Sequence, residues 1–107
     1  MMSKQLEQPF EREAVRRFAE QMEINLRKHD DRPGWNNGAC DPYWLLNRAR
    51  DELDELEAAM RNPVGRVAHV VEEAADVGNF CMMIAEVVSE EGEKKALEII
   101  KDMKLPE

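Results

Sequence analysis

The chain has 107 residues, 43% hydrophobic and 36% charged, with 15 Lys plus Arg against 23 Asp plus Glu and a net charge of −8. That length predicts one domain, residues 1–107, with enough chain for a single modest core. The charge excludes a protein that grips nucleic acid through bulk positive potential, and a polyanionic ligand of any kind would need a cation's help.

Cys40 and Cys81 lie far apart without ligand spacing, and the first residues lack a signal-peptide pattern, so a soluble protein of the reducing cytoplasm is expected. No apolar run approaches the roughly 20 residues of a membrane span. In chain order, Phe10, Ala14, Phe18, Met22 and Leu26 recur at helical spacing and predict a first amphipathic helix from about Glu7 to His29. The segment DDRPGWNNGACDPYW then supplies two prolines, two glycines and two asparagines, and ends in Asp41 and Pro42, an N-cap and first-turn pair. A second helix over 43–61 carries Leu45, Ala49, Leu53, Leu56 and Met60 on one side and stops at RNPVG. A third helix is predicted from Val64 to Glu91, closed by Gly92, with a short helix from Glu93 to about Met103. Alternating strand patterns and internal repeats are absent. The expected fold is all-α, an antiparallel bundle of three main helices plus a short C-terminal one.

The acids are placed unusually on these helices. At about 100° per residue, with Glu52 as origin, Leu45, Leu56, Ala49, Met60, Leu53 and Leu46 fall between roughly 20° and 120°, and Glu55 falls near 300°. Glu52 and Glu55 therefore border the apolar stripe, whereas Asp51 and Asp54 lie on the opposite, solvated face. With Glu73 as origin, Ile84, Val77, Val70 and Cys81 occupy one flank and Phe80, Val87 and Met83 the other, so that Glu73 and Asp76 lie inside the apolar arc. An ionised carboxylate among apolar neighbours costs several kcal/mol unless a positive group compensates it. Residues i and i+3 lie one turn apart on one face, so an ExxE pair facing an ExxD pair can form a cage of four carboxylates. Oxygen-only ligands favour Mg²⁺ or Mn²⁺.

The pattern RDELDELEAAM, a break, then VEEAADVGNFCMMIAE resembles the MazG-like all-α nucleoside triphosphate pyrophosphohydrolases, whose signature is ExxE, a spacer, then ExxD. Glu52, Glu55, Glu73 and Asp76 match it, and the resemblance covers roughly residues 35 to 90, including the GWNN loop. It implies hydrolysis of the α–β bond of a (d)NTP to a (d)NMP and pyrophosphate, with Mg²⁺, or Mn²⁺ in its place, held by those four acids. It also implies a homodimer or a dimer of dimers.

On that reading Glu52 or Glu55 orients or deprotonates the attacking water. Arg48 is a candidate phosphate ligand, with Lys28 or Arg32 beside it, and an ion pair to Glu52 is its structural alternative. Asn79 is placed to support a metal ligand or touch the sugar, and Trp35 and Asn36 to stack on and hydrogen-bond to a base, although Trp35 also suits a loop anchor. Met82 and Met83 read as packing. His69 stands one turn before Glu73. Val67, Val71, Gly78, Met82 and Ala85 form a second apolar flank on the third helix, between roughly 120° and 180°, which calls for a second copy of the chain.

Three other readings share this pattern. A di-iron bundle would want ExxH pairs, and neither histidine supplies one. A dimeric dUTPase or phosphoribosyl-ATP pyrophosphatase would keep the acid cage and change the pocket around it. A non-catalytic helical dimerisation module would use the acids only for solubility and pairing.

Overall fold

In the computed structural model the described residues are 12–36, 38 and 40–103. They form three helices and no strand: α1 (Glu13–Arg27), α2 (Pro42–Arg61) and α3 (Arg66–Asp102). The all-helical expectation holds. The expected first turns of the first helix, Phe10 included, lie outside the described residues.

Local chemistry fixes where α2 begins and ends. The Asp41 carboxylate accepts a hydrogen bond of 3.0 Å from the Tyr43 backbone N–H, and Pro42 occupies the first turn, where its missing N–H costs nothing. The helix stops at Asn62, which precedes Pro63 and is extended (φ −83°, ψ 121°), as a residue before proline prefers. The Asn62 side chain then accepts from the Val64 N–H at 3.0 Å, and Gly65 turns the chain through a left-handed conformation (φ 64°) into α3. So short a link folds α2 and α3 into an antiparallel hairpin.

The predicted break at Gly92 and the separate C-terminal helix do not form. α3 is one helix of 37 residues that runs through Gly92 without a positive φ. A glycine inside a helix costs only about 1 kcal/mol, and Glu90, Glu91, Glu93, Lys94, Lys95 and Ala96 around it are strong helix formers.

The core between α2 and α3 is thin. Leu45, Ala49, Glu52 and Ala59 are buried on α2, at alternating spacings of three or four once half-buried Leu56 is included. On α3 the buried residues are Ala75, Asn79 and Val87. This is coiled-coil periodicity with a carboxylate at a core position. Helix α1 also packs on α3, where Phe18 and Met22 approach Gly78. A Cβ at position 78 would sit 2.9 Å from Phe18 Cε2, so glycine is what allows the close crossing. The apolar stripe predicted on α2 is only half covered, since Leu46, Leu53 and Met60 remain exposed. Of the second flank predicted on α3, Val67, Val71 and Ala85 are exposed, while Gly78 and Met82 are partly covered. No helix among the described residues is long and apolar enough to cross a membrane.

Candidate functional site

Glu52 enters the α2–α3 core because it follows Leu45 and Ala49 at helical spacing, and it is only 8% exposed. Glu55, one turn later, reaches the same place from the exposed edge of α2. Glu73 comes from α3, half-buried. One carboxylate oxygen of each lies within 4.8 Å of the other two, so these three glutamates can close on one cation. Asp76 stands beside this group rather than in it. Its Oδ1 accepts a hydrogen bond of 2.9 Å from Asn25 Nδ2 of α1, yet its charge still acts on both Glu52 and Glu73.

The electrostatics are those of negative charge forced together with only partial compensation. Burial raises Glu52 from 4.5 to about 7, helped by the hydrogen bond and charge of Glu55 and then by the charges of Asp76 and Glu73. Arg48, whose Nη2 is 3.5 Å from Glu52 Oε1, does not offset that burial. Glu73 is raised by burial first and by Glu55 and Asp76 next, with His69 pulling the other way through its 3.2 Å contact to Glu73 Oε1. Asp76 is raised by burial, while the Asn25 hydrogen bond lowers it in part. Two oxygens in the cluster, Glu52 Oε2 and Glu73 Oε2, are buried with no hydrogen-bond partner. Such oxygens cost about 1–3 kcal/mol each when left unmet, and more when charged. A hard divalent cation fits this donor set, which is all oxygen, anionic and orphaned at two atoms.

Beside the acids an open cleft of about 550 Å³ runs between α1, the loop after it, α2 and α3. Glu52, Asp76 and Asn79 form part of its wall, together with Arg48, Phe80 and Met83. Arg48 sits with its guanidinium carbon 5.6 Å from the centre of the Phe80 ring and pairs with Asp51 as well as Glu52. It therefore makes the ion pair expected of it and also faces the cleft. Asn79 is buried; its Nδ2 donates to the Met22 carbonyl at 3.1 Å and its Oδ1 has no partner. Trp35 lines the cleft and its Nε1 is likewise buried without a partner.

Two residues singled out in the sequence stand elsewhere. Lys28 pairs with Glu72 at 3.0 Å and is not part of the cleft wall, and neither is exposed Asn36. Arg32 does line the cleft, and no hydrogen bond or ion pair engages its side chain among the described residues. The structure adds His29 and Trp44 to the wall and Asn25 beneath it. A sequence signal for Asn25 exists: it follows Phe18 by seven residues and Met22 by three, a polar residue set in an apolar stripe, the same anomaly that singled out the acids. Trp44 carried no comparable sign, because an aromatic in a first helical turn reads equally as packing. No family model, characterised protein sequence or solved structure matches the chain.

Proposed function

We propose that the chain is a Mg²⁺-dependent nucleoside triphosphate pyrophosphohydrolase of the MazG-like type, releasing pyrophosphate and a nucleoside monophosphate. The observation that carries this reading is the convergence of Glu52, Glu55 and Glu73 with two buried oxygens that no protein group satisfies. Beside them lies a cleft that presents cations and aromatic rings together. A divalent cation held by Glu52, Glu55 and Glu73, with Asp76 adjacent, would neutralise phosphate charge and polarise the phosphoryl oxygens.

The chain's own residues supply the rest. Arg48 and Arg32 offer guanidinium forks to phosphate oxygens inside a protein of net charge −8. Asn79 Oδ1 is an unused acceptor for a sugar hydroxyl or a base amine, and Trp35 and Trp44 give flat apolar surface for a base. A carboxylate oxygen of Glu52 or Glu55 that the cation leaves free would orient the attacking water or take its proton.

We place the active form in a homodimer, alone or paired again. The exposed Leu46, Leu53 and Met60 of α2 and Val67, Val71 and Val88 of α3 support this, because a second helical hairpin would cover them. The same stripes would serve a non-catalytic pairing module, so chemistry must decide. The test is a panel of ordinary and modified (d)NTPs with Mg²⁺ or Mn²⁺, in which pyrophosphate and monophosphate are measured separately. Both products in equal amounts are expected. Orthophosphate without pyrophosphate would move the reaction to another class, and no turnover on any member would leave the pairing module.

A further inference from the structure

We propose that Asn25 is a positioning residue that fixes the Asp76 carboxylate for the cation site, an inference that rests on the metal reading above. Among the described residues only Glu52, Asn25 and Asn79 are buried polar side chains, and Asn25 is the least accessible at 3%. All of its amide's polar atoms are engaged. Nδ2 donates to the Glu72 carbonyl and to Asp76 Oδ1, each at 2.9 Å, and Oδ1 accepts from Gln21 Nε2 at 2.9 Å. Exchanging the amide's oxygen and nitrogen would set a carbonyl against two acceptors and a donor against Gln21 Nε2, so Gln21 and the Glu72 carbonyl together define which atom faces Asp76.

Joining α1 to α3 does not require this last contact. Phe18 and Met22 already pack at Gly78, Asn79 already donates to the Met22 carbonyl, and Lys28 already pairs with Glu72. The bond to Asp76 does something else: it holds one carboxylate oxygen and leaves Oδ2 without a hydrogen bond among the described residues. Glu52 Oε2 and Asn79 Oδ1, both buried and without partners, belong to residues of the same cleft wall as Asp76. Unmet acceptors from separate residues around one space point to a ligand there. An acid fixed in advance spares that ligand the cost of ordering a mobile side chain, as hydrogen bonds behind metal ligands generally do.

The experiment is Mn²⁺ binding to the full chain without nucleotide, followed by calorimetry and by the spin signal of free Mn²⁺. Asn25→Ala is compared with Phe18→Ala, which loosens the same helix crossing without touching an acid. Asn25→Ala is expected to weaken Mn²⁺ binding by about 10-fold or more, with Phe18→Ala within about twofold of the unaltered chain. Equal weakening in both variants would make Asn25 a structural clamp and overturn the inference, as would unchanged binding in Asn25→Ala. Should Asn25→Ala not fold, the side-chain amide resonance of Asn25 in the unaltered chain decides. It should shift in step with Mg²⁺ saturation, and a stationary resonance at saturation counts against the inference. Failure of the unaltered chain to bind Mn²⁺ removes the metal reading itself, whereas intact binding with an indifferent Asn25 removes only the positioning role.

Discussion

Along its first part, to Val87, α3 packs against α2 and α1 and carries Glu73, Asp76 and Asn79 where apolar side chains would ordinarily go. From Val88 to Asp102 no residue of the same helix is buried, and there it carries Leu97, Ile99 and Ile100, each more than half exposed. The packed region holds polar groups that lack partners, and the bare region holds apolar groups that lack cover. Each arrangement is unfavourable in the isolated chain and would become favourable with the counterpart proposed for it, a cation for the first and a second hairpin for the second.

The largest effect should come from the acids. Glu52→Gln is expected to lower Mg²⁺-dependent pyrophosphate release by at least about 100-fold while raising the melting temperature in chelator near neutral pH, because it deletes a charge that burial opposes. A variant that melts lower, or that keeps its activity, would break the assignment of the packed region. Next is the bare region. The unaltered chain is expected to scatter light as a dimer or tetramer at micromolar concentration, and Leu97→Glu with Ile100→Glu to reduce it to monomer, since each buried aliphatic side chain contributes about 1.5–3 kcal/mol. A monomeric unaltered chain would mean that the second hairpin does not exist.

The pH dependence sharpens the contrast between the two regions. Glu52 holds its proton up to about 7 in the folded state against 4.5 ordinarily, so the folded chain binds more protons than the unfolded chain between those values. Stability in chelator therefore falls as pH rises from about 4.5 to about 7, by up to about 3 kcal/mol, and this is checked by urea titration across that range. Mg²⁺ competes with those protons, so its stabilising effect should grow over the same interval. A smaller loss, up to about 2 kcal/mol, is expected from Gly78→Ala, measured the same way: the Phe18 ring must shift, and about 1 kcal/mol of gained helix propensity offsets part of that cost. The smallest effect should follow Arg32→Ala: KM for nucleotide rises by roughly fivefold, about 1 kcal/mol, with kcat little changed.

The helices and the acids were readable because both announce themselves through period. Leu45, Ala49 and Glu52 share a face by spacing alone, and Asp41-Pro42 and Asn62-Pro63 mark the ends of α2 chemically. Which part of an apolar stripe is covered could not be read. Leu53 and Leu45 are indistinguishable by type, yet half of Leu53 is exposed and Leu45 is buried, because the direction of a neighbouring helix is a tertiary fact. Gly92 misled for a related reason: glycine weakens a helix by an amount that a strongly helical neighbourhood easily absorbs. The offset of Asp76 from the three glutamates was equally hidden, as was its hydrogen bond to Asn25, 51 residues away in the chain.

The unbroken course of α3 has a mechanical consequence. At about 1.5 Å per residue its 37 residues make a rod of roughly 55 Å, with Glu73 and Asp76 near one end and Ile99 and Ile100 near the other. No joint separates them. A partner that seizes the distal end therefore sets the angle at which half of the carboxylates are presented, and only melting the rod, most easily at Gly92, would uncouple the two.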